Sequence, residues 1–359
     1  MHLSKIQLFF FKNHEQQHLE FCKDINCITG SNGSGKTNIL DAVYYLANAK
    51  SFFNGIDQQI ILHGKEHFSI HGWFENETTT DILVNFGNGK KTLKKNGKSY
   101  QRLLDHIGNI QTVFITPYDI SLVLEGSEER RRFVDFTISQ TNRKYLEQLS
   151  IYRKLLDQRN AFLKQLDGRP ADPVLMETFD ERLSHIGQFI FETRKGFITK
   201  FSTYFEEFYQ FLSGENETSA LLYVSELHQK PMLDLLFTNR DRDRVMQRTG
   251  SGIHKDDLEF LLGDYPLKKY GSQGQIKSYV IALKLAQYRF FLENTGKKPI
   301  LLLDDIFEKI DSQRAQKLME LVAKDYFGQI IITDTHADRV KSHLANLTAE
   351  QQYISLEKP

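Results

Sequence analysis

The sequence predicts an α/β protein interrupted by a helical excursion: the chain leaves an α/β layer, builds two long helices and returns. Three observations predict this. The first third is rich in short runs of β-branched and aromatic residues separated by turn signals. From about Ser127 apolar residues recur at helical spacing through two long runs. Beyond about residue 250 short apolar strand-like runs come back, with one helical stretch among them.

Length and composition bound the answer. A chain of 359 residues makes two or at most three domains, at about 150 residues each. Lys+Arg and Asp+Glu both number 46, which argues against a wholly basic nucleic-acid coat and leaves room for a local basic patch. The two cysteines, Cys22 and Cys27, exclude a disulfide scaffold and fit a reducing compartment. The apolar stretches 6–11, 279–285 and 299–303 are too short to span a membrane, and the opening residues lack a cleavage signal, so a cytoplasmic location is expected.

The elements follow in order. Leu3–Phe11 and Ile25–Thr29 read as strands, as do Phe68–Glu75 and Thr79–Phe86. Lys90–Lys95 and Lys98–Tyr100 flank Asn96-Gly97, a strong hairpin signal. Gln111–Thr116 is a further strand. Apolar residues from Phe133 to Leu166 then follow one helical pattern and those from Leu175 to Phe208 another. The break between them, Asp167 to Pro173, makes an antiparallel helical hairpin, with the aromatic stripe as its packing seam. A strand after Ser219, a mixed helical piece to Arg248 and a hairpin around Gly263-Asp264 come next. The last third carries a helix over Gln275–Leu292 and buried strands at Pro299–Leu303 and Gln329–Thr333.

Gly30-Ser31-Asn32-Gly33-Ser34-Gly35-Lys36-Thr37 matches G-x-x-x-x-G-K-[ST]. Its glycines let backbone N–H groups turn in around phosphate oxygens, Lys36 supplies a point charge, and Thr37 offers a hydroxyl to Mg²⁺. Chance produces the pattern in on the order of 1% of chains this long. A strand before it and an apolar helical run after it supply the setting the motif needs. Ile300 to Leu303 end in Asp304-Asp305, which puts a carboxylate at the sheet edge beside the phosphate loop. Asp304 is the candidate Mg²⁺ ligand and Asp305 the candidate group that orients or activates water. Ser272-Gln273-Gly274-Gln275 opens a helix, a second anion site by dipole and free N–H groups. Two such helix starts suggest one ATP held between two chains.

The order of these motifs resembles the ABC-type P-loop ATPase heads of chromosome-maintenance and recombination ATPases. Over its whole length the chain is most similar to the RecF family of bacterial recombination mediators. The residues that carry the resemblance are FFFKNH (9–14), GSNGSGKTNILDAVYYL (30–46), ITPYDISLVLEGSEERRRFVD (115–135), GIHKDDL (252–258), YGSQGQ (270–275) and LLLDDIFEKID (301–311). The resemblance implies a mixed sheet with an antiparallel β lobe, assembled from residues 1–126 and 250–359, with 127–249 as an inserted helical arm. It implies a DNA-binding protein that dimerises on ATP, hydrolyses it weakly with Mg²⁺ as a switch, and works with RecR-like and RecO-like proteins on single-stranded or gapped and junction DNA. On the family pattern Lys12 and Asn13 lie near the phosphates, Ser272 reaches the partner's γ-phosphate, and Asp311 sits in the loop after the Asp-Asp pair. His336 is a candidate sensor of the γ-phosphate, with His254 of similar status. The stretch Thr116-Pro117-Tyr118 lacks the glutamine that related heads carry there, which leaves a second Mg²⁺ contact unassigned.

Two basic collections are candidate DNA contacts. One surrounds the Asn96-Gly97 turn, with Lys94, Lys95 and Lys98 the residues singled out; the other runs through Arg130, Arg131, Arg132, Arg143, Lys144, Arg153, Lys154 and Arg159. No base-reading module is recognisable, so shape and backbone recognition are expected. Two other classes compete. A transporter ATPase subunit normally has a shorter chain, and a chromosome-structural ATPase head carries a much longer heptad arm.

Overall fold

The computed structural model describes residues 1–214, 217–306, 312–323, 326–345 and 347–357. It separates into two compact units. The first comprises Met1–Asp119, Phe211–Gly214 and Lys277–Pro359; the second comprises Ile120–Gln210 and Glu215–Ile276.

The first unit holds two sheets. One is antiparallel and six-stranded, from β1 (His2–Phe11), β2 (His14–Glu20), β4 (His67–Glu75), β5 (Thr79–Gly87), β6 (Lys90–Lys95) and β7 (Lys98–Ser99), in the order β2-β1-β4-β5-β6-β7. The other is parallel, from β3 (Ile25–Thr29), β8 (Thr112–Ile115), β12 (Ile300–Asp304), β13 (Ile330–Asp334) and β14 (Gln351–Ser355), in the order β14-β3-β13-β12-β8. The parallel strands β3, β12 and β13 are buried at every position, the pattern of a sheet covered on both faces.

Helix Lys36–Asn48 meets strands of both sheets, and only Thr37 and Asn38 in it escape burial. A helix apolar on all sides has to be enclosed in this way. Gly72 of β4 allows the close approach, because a side chain there would run into Leu46. Each fully buried Ile, Leu or Val along the helix stabilises the unit by about 1.5–3 kcal/mol.

The predicted turn at Asn96-Gly97 is present, with Lys95 paired to Lys98. A second turn of the same composition, Asn88-Gly89, joins β5 to β6. All four turn residues have positive φ, between 48° and 74°, the conformation that suits such two-residue hairpins and that Asn and Gly tolerate best.

The second unit is built on helices Ser127–Ser139, Arg143–Leu166 and Pro173–Ser213, the last running on into the first unit's residues. The first predicted helical run is broken in two. Asn142 takes an extended backbone and its side chain accepts from Tyr145 N, capping a new helix. Phe162 meets Phe179, Arg159 meets Asp180 and Tyr145 meets Arg194, the order of an antiparallel pair. Leu183, Ile190, Phe201 and Phe205 of the aromatic stripe are fully buried, as a packing seam requires. A small sheet completes the unit, β9 (Ser219–Val224), β10 (Asp257–Leu262) and β11 (Tyr265–Pro266), in the order β11-β10-β9. The hairpin at Gly263-Asp264 forms, yet its second strand stops at Pro266, which has no N–H for the ladder, and Leu267–Tyr270 turns helical.

In the second basic collection Arg132, Arg143, Lys144, Arg153 and Lys154 are exposed, and most of the arginines have acidic partners. Arg130 pairs with Asp257, Arg132 with Glu128 and Glu129, Arg143 with Glu147, and Arg153 with Asp135. Arg159 is fully buried against Asp180 and Asp243. These partners lie 3 to 127 residues away in sequence, so the spacing of the arginines did not reveal them.

Candidate functional site

The site forms at the carboxyl edge of the parallel sheet, where β3, β13 and β12 end side by side. Register places Asp304 opposite Thr333, and Asp334 opposite Thr29. Strand β13 therefore stands between the phosphate loop's strand and the strand bearing the aspartates. Thr37 Oγ1 and Thr333 Oγ1 both donate to Asp304 Oδ1, each at 2.8 Å. Burial pushes the Asp304 carboxyl up, while the two hydroxyls, Lys36 and Lys12 pull it down. The Asp305 N–H donates to Thr333 Oγ1 at 3.1 Å. Asp305 is in the left-handed region, φ 44°, a conformation that costs of order 1–3 kcal/mol outside glycine and tends to occur at functional sites.

The loop itself is tightly built. Gly30 lies so near the C-terminal segment that a side chain would come within 2.6 Å of the Leu356 carbonyl. Gly35 has φ 94°, and a side chain there would strike His14 and Asn13. The Lys36 ammonium donates to the carbonyls of Gly30 at 2.8 Å and Ser31 at 3.1 Å. The Ser34 hydroxyl is buried beside Gly30 with no hydrogen-bond partner among the described residues, a polar group that a phosphate oxygen could meet.

The β1–β2 turn brings Lys12, Asn13 and His14 up to the loop. Asn13 donates to the Gly33 carbonyl at 3.4 Å and accepts from Asn38 at 2.6 Å. His14 lies 3.2 Å from the Gly35 carbonyl, and burial holds its pKa down. Lys12 takes another direction: its ammonium pairs at 2.7 Å with Asp41, a fully buried residue that also accepts from Ser51 Oγ and Phe52 N. Beyond β8, Asp119 closes the turn by accepting from Thr116 N, and Lys284 pairs with it at 2.7 Å. His336 begins helix Ala337–Leu344 with its N–H on Asp334 at 2.8 Å. Asp311 lies outside the described residues.

The remaining candidates belong to other places. In the second unit Ser272 and Gln275 form a reciprocal cap. The Gln275 N–H donates to Ser272 Oγ at 3.2 Å and the Ser272 N–H donates to Gln275 Oε1 at 2.8 Å, while Gln275 Nε2 donates to Glu217. Gln273 is exposed and Gly274 half-buried. His254, also in the second unit, is held between the Tyr152 hydroxyl and the Thr249 carbonyl, and burial lowers its pKa to about 4. On the antiparallel sheet Lys94 pairs with Leu83, whereas Lys95 pairs with Ile82 and Lys98. Successive strand residues face opposite ways, so Lys94 is on the other face from Lys95 and Lys98. The three lysines do not form one patch.

The family model described as RecF/RecN/SMC N terminal domain matches residues 2–354. The chain is 46% identical over 345 residues to the DNA replication and repair protein RecF of Flavobacterium johnsoniae, covering 95% of this chain and 96% of that one. It is 44% identical over 361 residues to the protein of the same name in Phocaeicola vulgatus, covering 99% and 97%. The chain belongs to the RecF family. Among solved structures, the recombination mediator protein RecF-ATPrS in the RecFOR pathway superposes with TM-score 0.87 at 28% identity, over 99% of this chain and 98% of that one. RecF-ATP of the same pathway gives 0.86 at 30% identity, over 93% and 92%. The Smc head domain of Pyrococcus furiosus gives 0.56 at 17% identity, over 99% and 94%, and shares the fold alone. The expected ABC-type α/β head with an antiparallel lobe and long helices is the fold observed, with the parallel and antiparallel strands in separate sheets.

Several site residues carried no signal of their own in the sequence. Thr333 lies near the end of the apolar strand β13 and is drawn in only because β13 lies between β3 and β12. Asn38 and Asp41 are helix residues after the loop motif; Asn38 meets Asn13, 25 residues away, and Asp41 meets Ser51 and Phe52 within 11 residues and Lys12 in the β1–β2 turn. The one available signal was periodicity: Asp41 interrupts the apolar positions of a helix that is otherwise enclosed.

Proposed function

We propose that this chain is an ATP-dependent DNA-binding protein of recombinational repair and replication-gap processing, and that it hydrolyses ATP weakly, as a switch. The observation that carries the proposal is the Asp304 carboxylate, held by Thr37 of the phosphate-loop helix and Thr333 of β13. The RecF-ATP relative and the near full-length match to DNA replication and repair proteins support it. No helix among the described residues is long and apolar enough to cross a membrane.

The residues fit Mg²⁺-ATP. The Ser34 hydroxyl, without a partner among the described residues, and the Lys36 charge suit phosphate oxygens, as glycine-rich loop N–H groups do in general. Thr37 and Asp304 offer one hydroxyl and one carboxylate, the small oxygen set suited to an ion that arrives with its nucleotide. Bound there, Mg²⁺ would neutralise charge on the phosphate oxygens. Asn13 and His14 brace the loop, and Asp41 fixes Lys12 beside it. Asp305 orients or deprotonates the attacking water. Its carboxylate is one methylene shorter than the glutamate of many related heads, and reach governs general-base efficiency, which fits slow turnover. Ser272 and its cap engage the γ-phosphate of a second copy, so that ATP drives dimerisation. His336 senses that phosphate. The dimer acts in the cytoplasm on single-stranded or gapped and junction DNA, with RecR-like and RecO-like partners, in loading recombinase.

Three variants test the site by calorimetry and single-turnover hydrolysis. Lys36→Met removes a charged contact of about 1.5–3 kcal/mol and should weaken ATP binding about 10- to 100-fold. Asp305→Asn should bind Mg²⁺-ATP normally, stop hydrolysis and leave DNA slowly; Asp304→Asn should lose metal affinity and dimerisation together. Wild-type hydrolysis by Asp305→Asn would place the catalytic carboxylate elsewhere.

A further inference from the structure

Strand β13 runs Ile330, Ile331, Ile332 and then Thr333, which is fully buried. A buried hydroxyl costs free energy unless it is hydrogen-bonded, and valine, of nearly the same shape, would continue the strand without that cost. The Thr333 hydroxyl is spent on the end of β12. A hydroxyl has one hydrogen and two lone pairs. Its hydrogen points to Asp304 Oδ1 at 2.8 Å, closer than the Leu303 carbonyl at 3.4 Å. A lone pair accepts the Asp305 N–H at 3.1 Å. One side-chain oxygen therefore holds two successive residues, one by its carboxylate and one by its backbone. Register explains the reach: Asp304 lies opposite Thr333, and Asp305 is the first residue past the ladder. There the chain turns left-handed, with φ 44° at Asp305. Such a conformation persists where its surroundings over-determine it, and the bond from the Asp305 N–H to Thr333 is one such constraint.

We propose that Thr333 is a positioning residue for hydrolysis: by fixing the Asp305 backbone against Asp304 it sets the direction from which the Asp305 carboxylate meets the attacking water. This rests on the reading of Asp305 as the group that orients or deprotonates that water. Asp304 has a second hydroxyl, Thr37 Oγ1 at 2.8 Å, so without Thr333 it is still held from the phosphate-loop side. Thr333 therefore matters more for turnover than for nucleotide binding.

The test uses the whole chain. Thr333→Val removes the hydroxyl and keeps the branched shape; Thr333→Ser keeps the hydroxyl and loses the methyl. Calorimetry gives ATP affinity, and single-turnover hydrolysis at saturating ATP and Mg²⁺ gives the rate. Misplacing a reacting group by about 1 Å costs about 10²-fold, so Thr333→Val should hydrolyse about 10- to 100-fold more slowly, with ATP affinity within about threefold of wild type. Thr333→Ser should recover most of the rate. In an Asp305→Asn background Thr333→Val should not slow the residual rate further, because it acts through the carboxylate already removed. Thermal unfolding shows that each variant is folded in the assay, and Thr333→Ala is the second hydroxyl-free variant should the valine not be. A wild-type rate without the hydroxyl, equal slowing by Thr333→Ser, parallel loss of affinity and rate, or an additive loss in the Asp305→Asn background would each overturn the proposal. The reading of Asp305 fails separately, through a wild-type rate in Asp305→Asn itself.

Discussion

Two buried groups of charges in this chain are built on opposite plans. In the first unit Lys36 is held by neutral carbonyls and Asp304 by neutral hydroxyls. In the second unit Arg159 and Arg194 are buried against carboxylates, Asp180 and Asp243 for one, Asp135 and Asp256 for the other. A charge with neutral partners retains most of its field and can receive a ligand of opposite sign. A charge already neutralised by carboxylates has little left to offer, and removing it strands its partners. The contrast separates charges left with neutral partners from charges already paired, and Lys12, paired with Asp41, is of the second kind while still close enough to Asp304 to lower its pKa.

The largest effect should come from breaking the compensated plan. Arg194 donates to Asp135 at 2.9 Å, to Asp256 at 2.8 Å and to the Ile253 carbonyl at 2.7 Å. Arg194→Ala leaves two buried carboxylates short of their counter-charge, so the second unit should lose about 3–5 kcal/mol. Arg132→Ala, at an exposed pair, should cost under about 1 kcal/mol. Urea unfolding of both variants makes the comparison; similar midpoints would erase the distinction between the two plans.

The same contrast explains what was legible in the sequence. The phosphate loop could be read because its glycines, Lys36 and Thr37 do their work within eight consecutive positions, and the Asn96-Gly97 hairpin because two residues set its turn. The arginine network could not, since Arg159 reaches Thr249 across 90 residues and Arg194 reaches Asp256 across 62. Strands β2 and β14 lacked a readable pattern for a different reason. Both are edge strands; β2 buries only His14 and Leu19, and β14 has no fully buried position, so apolar alternation is weak. The basic run around the turn was read as one group because its one-residue steps were not resolved into the two faces of a strand.

A smaller effect should appear with pH. His254 has a folded pKa near 4 because burial disfavours its cation, against about 6.5 when unfolded. As pH falls below 6.5 the unfolded chain takes up a proton that the folded chain refuses until about pH 4. Stability should therefore drop through that window, by at most about 1.4 kcal/mol per pH unit, and level off below it. Asp243 and Asp256 are pushed up by burial and act with the opposite sign, so the reading is wild type minus His254→Asn. Parallel stability curves for the two proteins between pH 7 and 4 would mean that His254 is not buried as a neutral ring.

The smallest energy belongs to Ser272, where a cap and a ligand contact are superposed on one hydroxyl. The oxygen accepts from the Gln275 N–H, which uses a lone pair and leaves its own hydrogen to donate. Ser272→Ala removes the cap and should cost about 1 kcal/mol of stability in the second unit. If the hydroxyl also meets a second copy's γ-phosphate, the same change should weaken ATP-dependent dimerisation. Ser272→Arg should then abolish the dimer and leave ATP binding by each chain nearly intact, since the guanidinium would fill the space meant for phosphate. Light scattering with and without ATP, beside thermal unfolding, separates the two roles. A lowered unfolding temperature with full dimerisation of both variants would leave Ser272 as a helix cap and remove it from the nucleotide site.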